Sequence, residues 1–228
     1  MKKDSLGDRM KSNYEDRQRF YLTRRTPVIM RLDGKAFHTV TKKAVKPYDD
    51  TIINIMQATT LKLLQEIQGA KCAYTQSDEI SILITDFDEI NTEAWFNYNL
   101  NKMVSVSSAI ASVEFSKLFG KSVYFDSRVF NIPKEEVVNY FRWLYLDWVR
   151  NSIQMLAQSL YSHKQLHGKN SSILQDMCIE KGVNWAKLAP IYKNGTFYSD
   201  RTLLTDFNLL NDTCTTNIFM NNILYKED

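Results

Sequence analysis

Residues 27–38 read PVIMRLDGKAFH, and residues 75–84 read TQSDEISILI. The first stretch is a short apolar run that ends in a carboxylate and a glycine, Asp33 and Gly34. The second sets Asp78 and Glu79 at the tight junction between two apolar runs. A buried strand that ends in an acid delivers a carboxylate to the rim of a sheet. Two such ends side by side offer the oxygen ligands that a two-metal phosphoryl-transfer site uses. Gly34 leaves the backbone bare where an ion or phosphate would approach. The same letters are also ordinary turn chemistry, because Asp-Gly and Ser-Asp pairs form turns readily. These two stretches alone leave both readings open.

The flanking sequence supplies the frame. Residues 1–26 are polar and basic and carry Tyr14, Phe20, Tyr21 and Leu22, which predicts a helix and a connector ending before Pro27. Val28 to Leu32 reads as a buried strand that Gly34 breaks, followed by a lysine-rich loop with Lys42, Lys43 and Lys46. A helix begins at Tyr48, with Asp49 and Asp50 near the positive end of its dipole. Ile52, Met56, Leu63 and Ile67 recur along it at helical spacing, and Gly69 ends it. Cys72 to Thr75 and Ile80 to Thr85 read as strands separated by four residues, which predicts a hairpin. Residues 95–119 form a helix with Met103, Val106, Ile110 and Val113 on one face, and its small-residue centre SVSSAIAS suits close packing on a sheet. Gly120 stops it, and Ser122 to Phe130 is a fourth strand before Pro133.

The order β-α-β-β-α-β predicts an α+β, ferredoxin-like fold, an antiparallel sheet with two helices on one face. Polymerase palms and several nucleotide cyclases share that core, and the fold alone does not fix function. Lys134 to Tyr161 reads as a long helix that kinks or divides between Asp147 and Ser152, where its face turns polar. The loop SHKQLHGKN, a short helix from Ser171 to Glu180 and an irregular aromatic segment follow. The expected division is a palm-like core with its basic N-terminal segment over 1–133 and a helical C-terminal part over 134–228 packed on it. No flexible linker separates the two.

Composition narrows the class. The chain has 228 residues, 44% hydrophobic and 12% aromatic, enough for a folded core. No apolar run approaches the ~20 residues that cross a bilayer, and the N-terminus lacks a secretory apolar segment. Three scattered cysteines make no zinc pattern and suit a reducing compartment, so a soluble intracellular protein is expected. Net charge is only +3, yet residues 1–50 hold thirteen Lys and Arg against seven Asp and Glu. That local excess suits a polyanionic partner, though a solvated surface looks the same in sequence. The same ambiguity attaches to His38, to Arg150 and Asn151, and to the His163, Lys164, His167 and Lys169 cluster around Gly168.

RLDGKAFH, QSDEISILI, DSRVFNIP, RNSIQMLAQSLYSHKQLHGKN and the opening DSLGDRMK together resemble the tRNA-His guanylyltransferase family. They look most like its guanylyltransferase-like branch of 3′-to-5′ RNA polymerases. The resemblance runs from about residue 4 to residue 200, and the last 28 residues match nothing in it. It implies a palm that adds nucleotides to the 5′ end of a tRNA, after ATP or GTP activates that end or when it arrives as a triphosphate. By that resemblance Asp33, the Gly34 carbonyl and Asp78 hold two Mg²⁺ ions, with Glu79 beside them as a further catalytic acid. Asp33, Gly34, Lys35, Ala36, Phe37, His38, Ser77 and Asp78 line the nucleotide site. By the same resemblance Arg31, Lys46, Arg150, Asn151, His163, Lys164 and Lys169 grip the triphosphate or the RNA. A homotetramer is also implied.

One stretch departs from the pattern. Enzymes dedicated to histidine tRNA carry His-Ile-Asn-Asn in the long helix, where this chain has Val149-Arg150-Asn151-Ser152. The expectation is therefore template-directed repair or editing of tRNA 5′ ends. The alternatives are addition of a G to the 5′ end of histidine tRNA and, further off, a palm-fold nucleotide cyclase. A cyclase would use the paired acids but would need neither the basic N-terminal third nor the SHKQLHGKN loop.

Overall fold

The structure, a computed structural model, describes residues 5–223. Lys2, Lys3 and Asp4, which belong to the basic N-terminal third and to the opening motif, lie outside the described residues. The elements in order are α1 (Ser5–Met10), β1 (Val28–Gly34), α2 (Phe37–Val40), α3 (Asp50–Glu66), β2 (Ala70–Gln76), β3 (Glu79–Ile84), α4 (Leu100–Phe119) and β4 (Phe125–Asn131). Then come α5 (Val137–Leu160), α6 (His163–Leu166), α7 (Ser171–Glu180), α8 (Pro190–Asn194), β5 (Thr196–Ser199), β6 (Thr202–Leu204) and α9 (Asp212–Ile223).

The sheet runs β4-β1-β3-β2-β5-β6, with every neighbouring pair antiparallel. Its first four strands make the ferredoxin-like order that the sequence predicts. Alternation along β1 divides its side chains between two cores. Val28, Met30 and Leu32 join the core under α3 and α4, whereas Ile29 joins the core under α5. Helix α3 starts where the Asp49 carboxylate accepts from the amides of Thr51 and Ile52, a standard N-cap. The small residues of α4 earn their place at β4. Ser112 Oγ accepts from the Phe125 amide at 2.9 Å, and Ser116 Oγ accepts from the Val123 amide at 2.8 Å. Ser107 Oγ donates to Ser127 Oγ at 2.8 Å. Larger side chains at these positions would hold the helix off the strand.

Three expectations change. The long helix α5 is continuous, because Asp147 pairs with Arg150 and accepts from Asn151 Nδ2 at 2.8 Å. The polar stretch thus satisfies itself along the helix and breaks nothing. The aromatic segment after α8 is not irregular: it adds β5 and β6 to the β2 edge of the sheet. Their two-residue turn is Asp200-Arg201, with φ of 44° and 63°. That backbone normally announces itself through Gly or Asn, and neither stands here to signal a hairpin. The loop SHKQLHGKN likewise contains the helical turn α6. Among the described residues no helix is long and apolar enough to cross a membrane.

The second core carries testable weight. Phe141 of α5 is fully buried, 5.9 Å from the Phe197 ring and 5.3 Å from the Phe219 ring. Phe141→Ala should cost about 3–5 kcal/mol in denaturant unfolding. A loss below about 1 kcal/mol would mean that α5 contributes little to the folded state.

Candidate active site

Strand β1 ends at Gly34, and the β2–β3 hairpin turns at Ser77 and Asp78. The two ends dock directly: the Gly34 amide donates to the Asp78 carbonyl at 3.1 Å. A Cβ on Gly34 would lie 2.5 Å from Phe37 Cδ2 and 3.1 Å from Asp78 Cβ, so only glycine allows this approach. Ala36 and Ser77, on opposite sides of the junction, both hold φ of 51°, a left-handed conformation costly for residues with a side chain. Ser77 Oγ donates to Asp78 Oδ1 at 2.9 Å, which fixes the carboxylate.

Acids gather here. In register, Asp33 stands opposite Glu79 on β3 and opposite Asp126 on β4. Burial first, then the charges of Asp78, Glu79 and Asp126, push the Asp33 carboxyl above the ordinary carboxylate range. Burial likewise raises Asp78, against the hydrogen bond from Ser77. Nearby cations relieve this only in part, with Arg128 pulling the Asp33 carboxyl back down. Arg31 pairs with Glu79, whose other oxygen accepts from Gln76 Nε2 at 2.8 Å, and the Arg31 guanidinium lies 5.4 Å from the Trp143 ring. Arg128 is exposed and reaches Asp126 only at 3.7 Å. Oxygen donors short of positive charge suit a hard divalent cation such as Mg²⁺. Among the described residues no three His, Cys, Asp or Glu side chains are grouped to hold a metal by themselves.

A cleft of about 520 Å³ opens beside the junction, large enough for a nucleotide. Gly34, Ala36, Phe37, His38, Ser77 and Asp78 line one side. Ile52, Ile53, Met56 and Gln57 of α3 line another, and Trp148 and Met155 of α5 close it with Gly195 and Thr196. Gln57 Nε2 donates to Thr196 Oγ1 at 2.9 Å, which joins α3 to β5 across this wall. The lysine-rich loop contributes Lys46, Pro47 and Tyr48. Tyr48 donates to the Ser152 carbonyl at 2.8 Å and stacks on Tyr192 at 4.8 Å. Tyr192 in turn donates to Asp50 Oδ1 at 2.7 Å, so the loop is tied to both α5 and α8.

Six of the residues proposed from sequence for the nucleotide site, Gly34, Ala36, Phe37, His38, Ser77 and Asp78, line one cleft, and Lys46 joins them. Asp33 stands at the adjoining sheet end, while the Lys35 side chain is exposed and outside the lining. Arg31 is engaged by Glu79, and Arg150 and Asn151 by Asp147. His163, Lys164 and Lys169 are exposed and line no part of the cleft. Sequence reasoning missed Gln57, Trp148 and Met155, which lie within expected helices, and Thr196, which fell in the segment read as irregular. It also missed Asp126, although an acid at a strand end was the signal that picked out Asp33.

The profile of the tRNAHis guanylyltransferase family matches residues 7–133, more than half of the chain. The chain belongs to that family. Its activity class is therefore nucleotidyl transfer. A bacterial tRNA(His) guanylyltransferase-like protein solved in complex with ATP superposes with a TM-score of 0.91 at 38% identity, over 96% of this chain and 99% of that one. A similar bacterial structure in complex with GTP gives 0.84 at 36%, with the same coverage. An uncharacterized protein of Acanthamoeba polyphaga mimivirus is 27% identical over 235 residues, 89% of this chain and 80% of that protein.

Two outcomes test the junction. Gly34→Ala should destabilise the fold by about 1–3 kcal/mol and suppress nucleotide binding, because the Phe37 ring and Asp78 must move apart. Retained binding and a wild-type melt would show that the approach is not needed. The second concerns pH. A raised folded-state pKa means that the stability from Asp33 and Asp78 is present below their ordinary pKa and lost as pH rises through the folded value. In EDTA, Asp78→Asn should therefore melt higher than wild type at neutral pH, the gap closing towards about pH 4. Added Mg²⁺ should raise the wild-type melting point and leave the variant unmoved. A variant that melts lower at neutral pH in EDTA would count against an under-neutralised acid pair.

Proposed function

We propose that this chain adds nucleotides to the 5′ end of tRNA, with guanylate the nucleotide best supported. The observation that carries this is the meeting of Asp33 and Asp78 at the rim of a nucleotide-sized cleft. Asp33, Asp78 and the Gly34 carbonyl would hold two Mg²⁺ ions, which when bound activate a hydroxyl nucleophile and neutralise a triphosphate. The chain's own residues do the rest. Phe37, Ile52, Met56 and Trp148 offer the base an apolar wall that excludes water. Lys46 supplies positive charge at the same wall. The Gly34–Asp78 hydrogen bond fixes the two acids relative to the bound nucleotide, and fixed orientation is itself a large part of catalysis. The 3′-hydroxyl of the incoming nucleotide then displaces the leaving group from the activated 5′ phosphate. Magnesium and assembly as a homotetramer are parts of this proposal.

The family's name supports guanylate addition better than template-directed repair. Template-directed addition is kept as the second reading because Val149-Arg150-Asn151-Ser152 replaces the His-Ile-Asn-Asn of histidine-tRNA enzymes. A further point favours it: Arg150 and Asn151 are turned onto Asp147 within α5.

One assay separates the readings. The protein is given Mg²⁺, all four nucleoside triphosphates and truncated tRNAs that differ in the base opposite the missing nucleotide. G added whatever stands opposite, with histidine tRNA preferred, is the expected result. Addition of the complementary base to tRNAs of several identities would replace it with template-directed repair. A cyclic nucleotide, or RNA that never lengthens, would overturn the proposal. A folded Asp78→Ala protein should lose roughly a thousandfold in rate or more.

A further inference from the structure

An open sheet ends in two edges, and an edge strand invites a further strand because its outer amides and carbonyls lack partners. One edge here is β6, only three residues long. The other is β4, seven residues without a proline and in unbroken register with β1. Ladder alternation decides which of its groups stay open. The Lys35 amide donates to the Tyr124 carbonyl at 2.8 Å and the Ile132 amide to the Pro27 carbonyl at 3.0 Å, so the even-numbered residues of β4 bond to β1. The odd-numbered residues turn their backbone outward. Ser112 Oγ takes the Phe125 amide, and the Asn131 side chain ties that end of the strand to Thr23. Between them, Ser127 and Val129 have no strand beside them among the described residues.

The side chains along this edge follow an order of their own. Phe125 and Val129 are buried in the core under α3 and α4, whereas Tyr124, Asp126, Arg128 and Phe130 share the other face and are all exposed. Read along the chain, that exposed series is aromatic, acid, base, aromatic. Turned end for end about Ser127 it complements itself. Tyr124 then falls opposite Phe130 of a second copy, and Asp126 opposite its Arg128. Both are non-hydrogen-bonded positions, where cross-strand side chains approach most closely. An axis through Asp126 or Arg128 would instead set like charges face to face, which opposes pairing. Phe130 also lies 5.9 Å from the Tyr140 ring, and Tyr140 lies 5.7 Å from Trp143, which is 51% exposed. A Tyr124 from a second copy would extend that aromatic row.

We propose that the outer edge of β4 is an interface between two copies of this chain, paired antiparallel about Ser127 so that their sheets become one. The inference rests on the assembly part of the proposed function and adds the surface and the register. Charge complementarity selects a second copy as the occupant, because acid and base on this strand sit where each meets the other. The pairing also reaches the site. Asp126 stands opposite Asp33 in register, so Arg128 of the second copy brings positive charge to the acid-rich rim.

The test follows the full-length protein by sedimentation velocity over a dilution series, with circular dichroism to check the fold of each variant. Arg128→Asp sets acid against acid across the axis, and Asp126→Arg sets base against base. Either change alone should weaken association through this edge about tenfold or more. Mixed in equal amounts, the two variants oppose acid to base again, and the mixture should recover the wild-type mass. The double variant, Asp126→Arg with Arg128→Asp, keeps the complement within one chain and should assemble as wild type does. Single variants that associate as tightly as wild type, or a mixture and a double variant that both stay dissociated, would overturn this interface and leave assembly to another surface. Wild-type protein that is monomeric at every concentration would instead remove the assembly reading on which the inference rests.

Discussion

The hydrogen bond from the Gly34 amide to the Asp78 carbonyl is the contact on which the site depends. It joins the end of β1 to the turn of the β2–β3 hairpin, and it exists because position 34 has no side chain. Everything nearby is arranged around its cost. Two residues sit in left-handed backbone, Ala36 and Ser77, and several carboxylates crowd one sheet end. A fold selected for stability alone would relax both features, since strain and like charge each oppose folding. Their joint presence at one rim is the physical mark of a site built to receive compensating charge.

The cleft is a product of the fold's two layers rather than of the palm alone. Strands β1 to β4 with α3 and α4 bring the acids and one wall. Helix α5, laid on the opposite face over Ile29, Tyr74 and Leu83, brings Trp148 and Met155. Strand β5 completes the enclosure by pairing Thr196 with Thr75. Gly195 is needed here, since a Cβ would lie 2.9 Å from both the Thr75 carbonyl and the Tyr74 hydroxyl.

Those parts of the molecule governed by local pattern were legible in the sequence. The apolar run ending in Asp33-Gly34, the tight TQSDEISILI hairpin and the helix from Ser171 to Glu180 all fold as their letters suggest. What the sequence hid depends on partners distant along the chain. Arg31 looks like a cation awaiting phosphate until the register sets it near Glu79. The polar stretch 147–152 looks like a helix break until Asp147 is seen to engage Arg150 and Asn151. Trp148 has the composition of core and Thr196 lay in a segment without a strand signal, and only packing sets them beside a cavity. The β5–β6 turn lacked Gly and Asn, so a strained Asp-Arg pair went unannounced.

The late position of Gly195 and Thr196 in the chain bears on how the protein is made. Synthesis runs from the N-terminus, and domains begin to fold as they emerge. A nascent chain that has reached the end of α5 already contains Asp33, Gly34 and Asp78 and the strands that carry them. It lacks the β5 wall and the Gln57–Thr196 bridge, and Tyr48 lacks its stacking partner Tyr192. The acidic junction is therefore translated well before the chamber it serves. The cleft has no wall on that side until β5 is paired with β2.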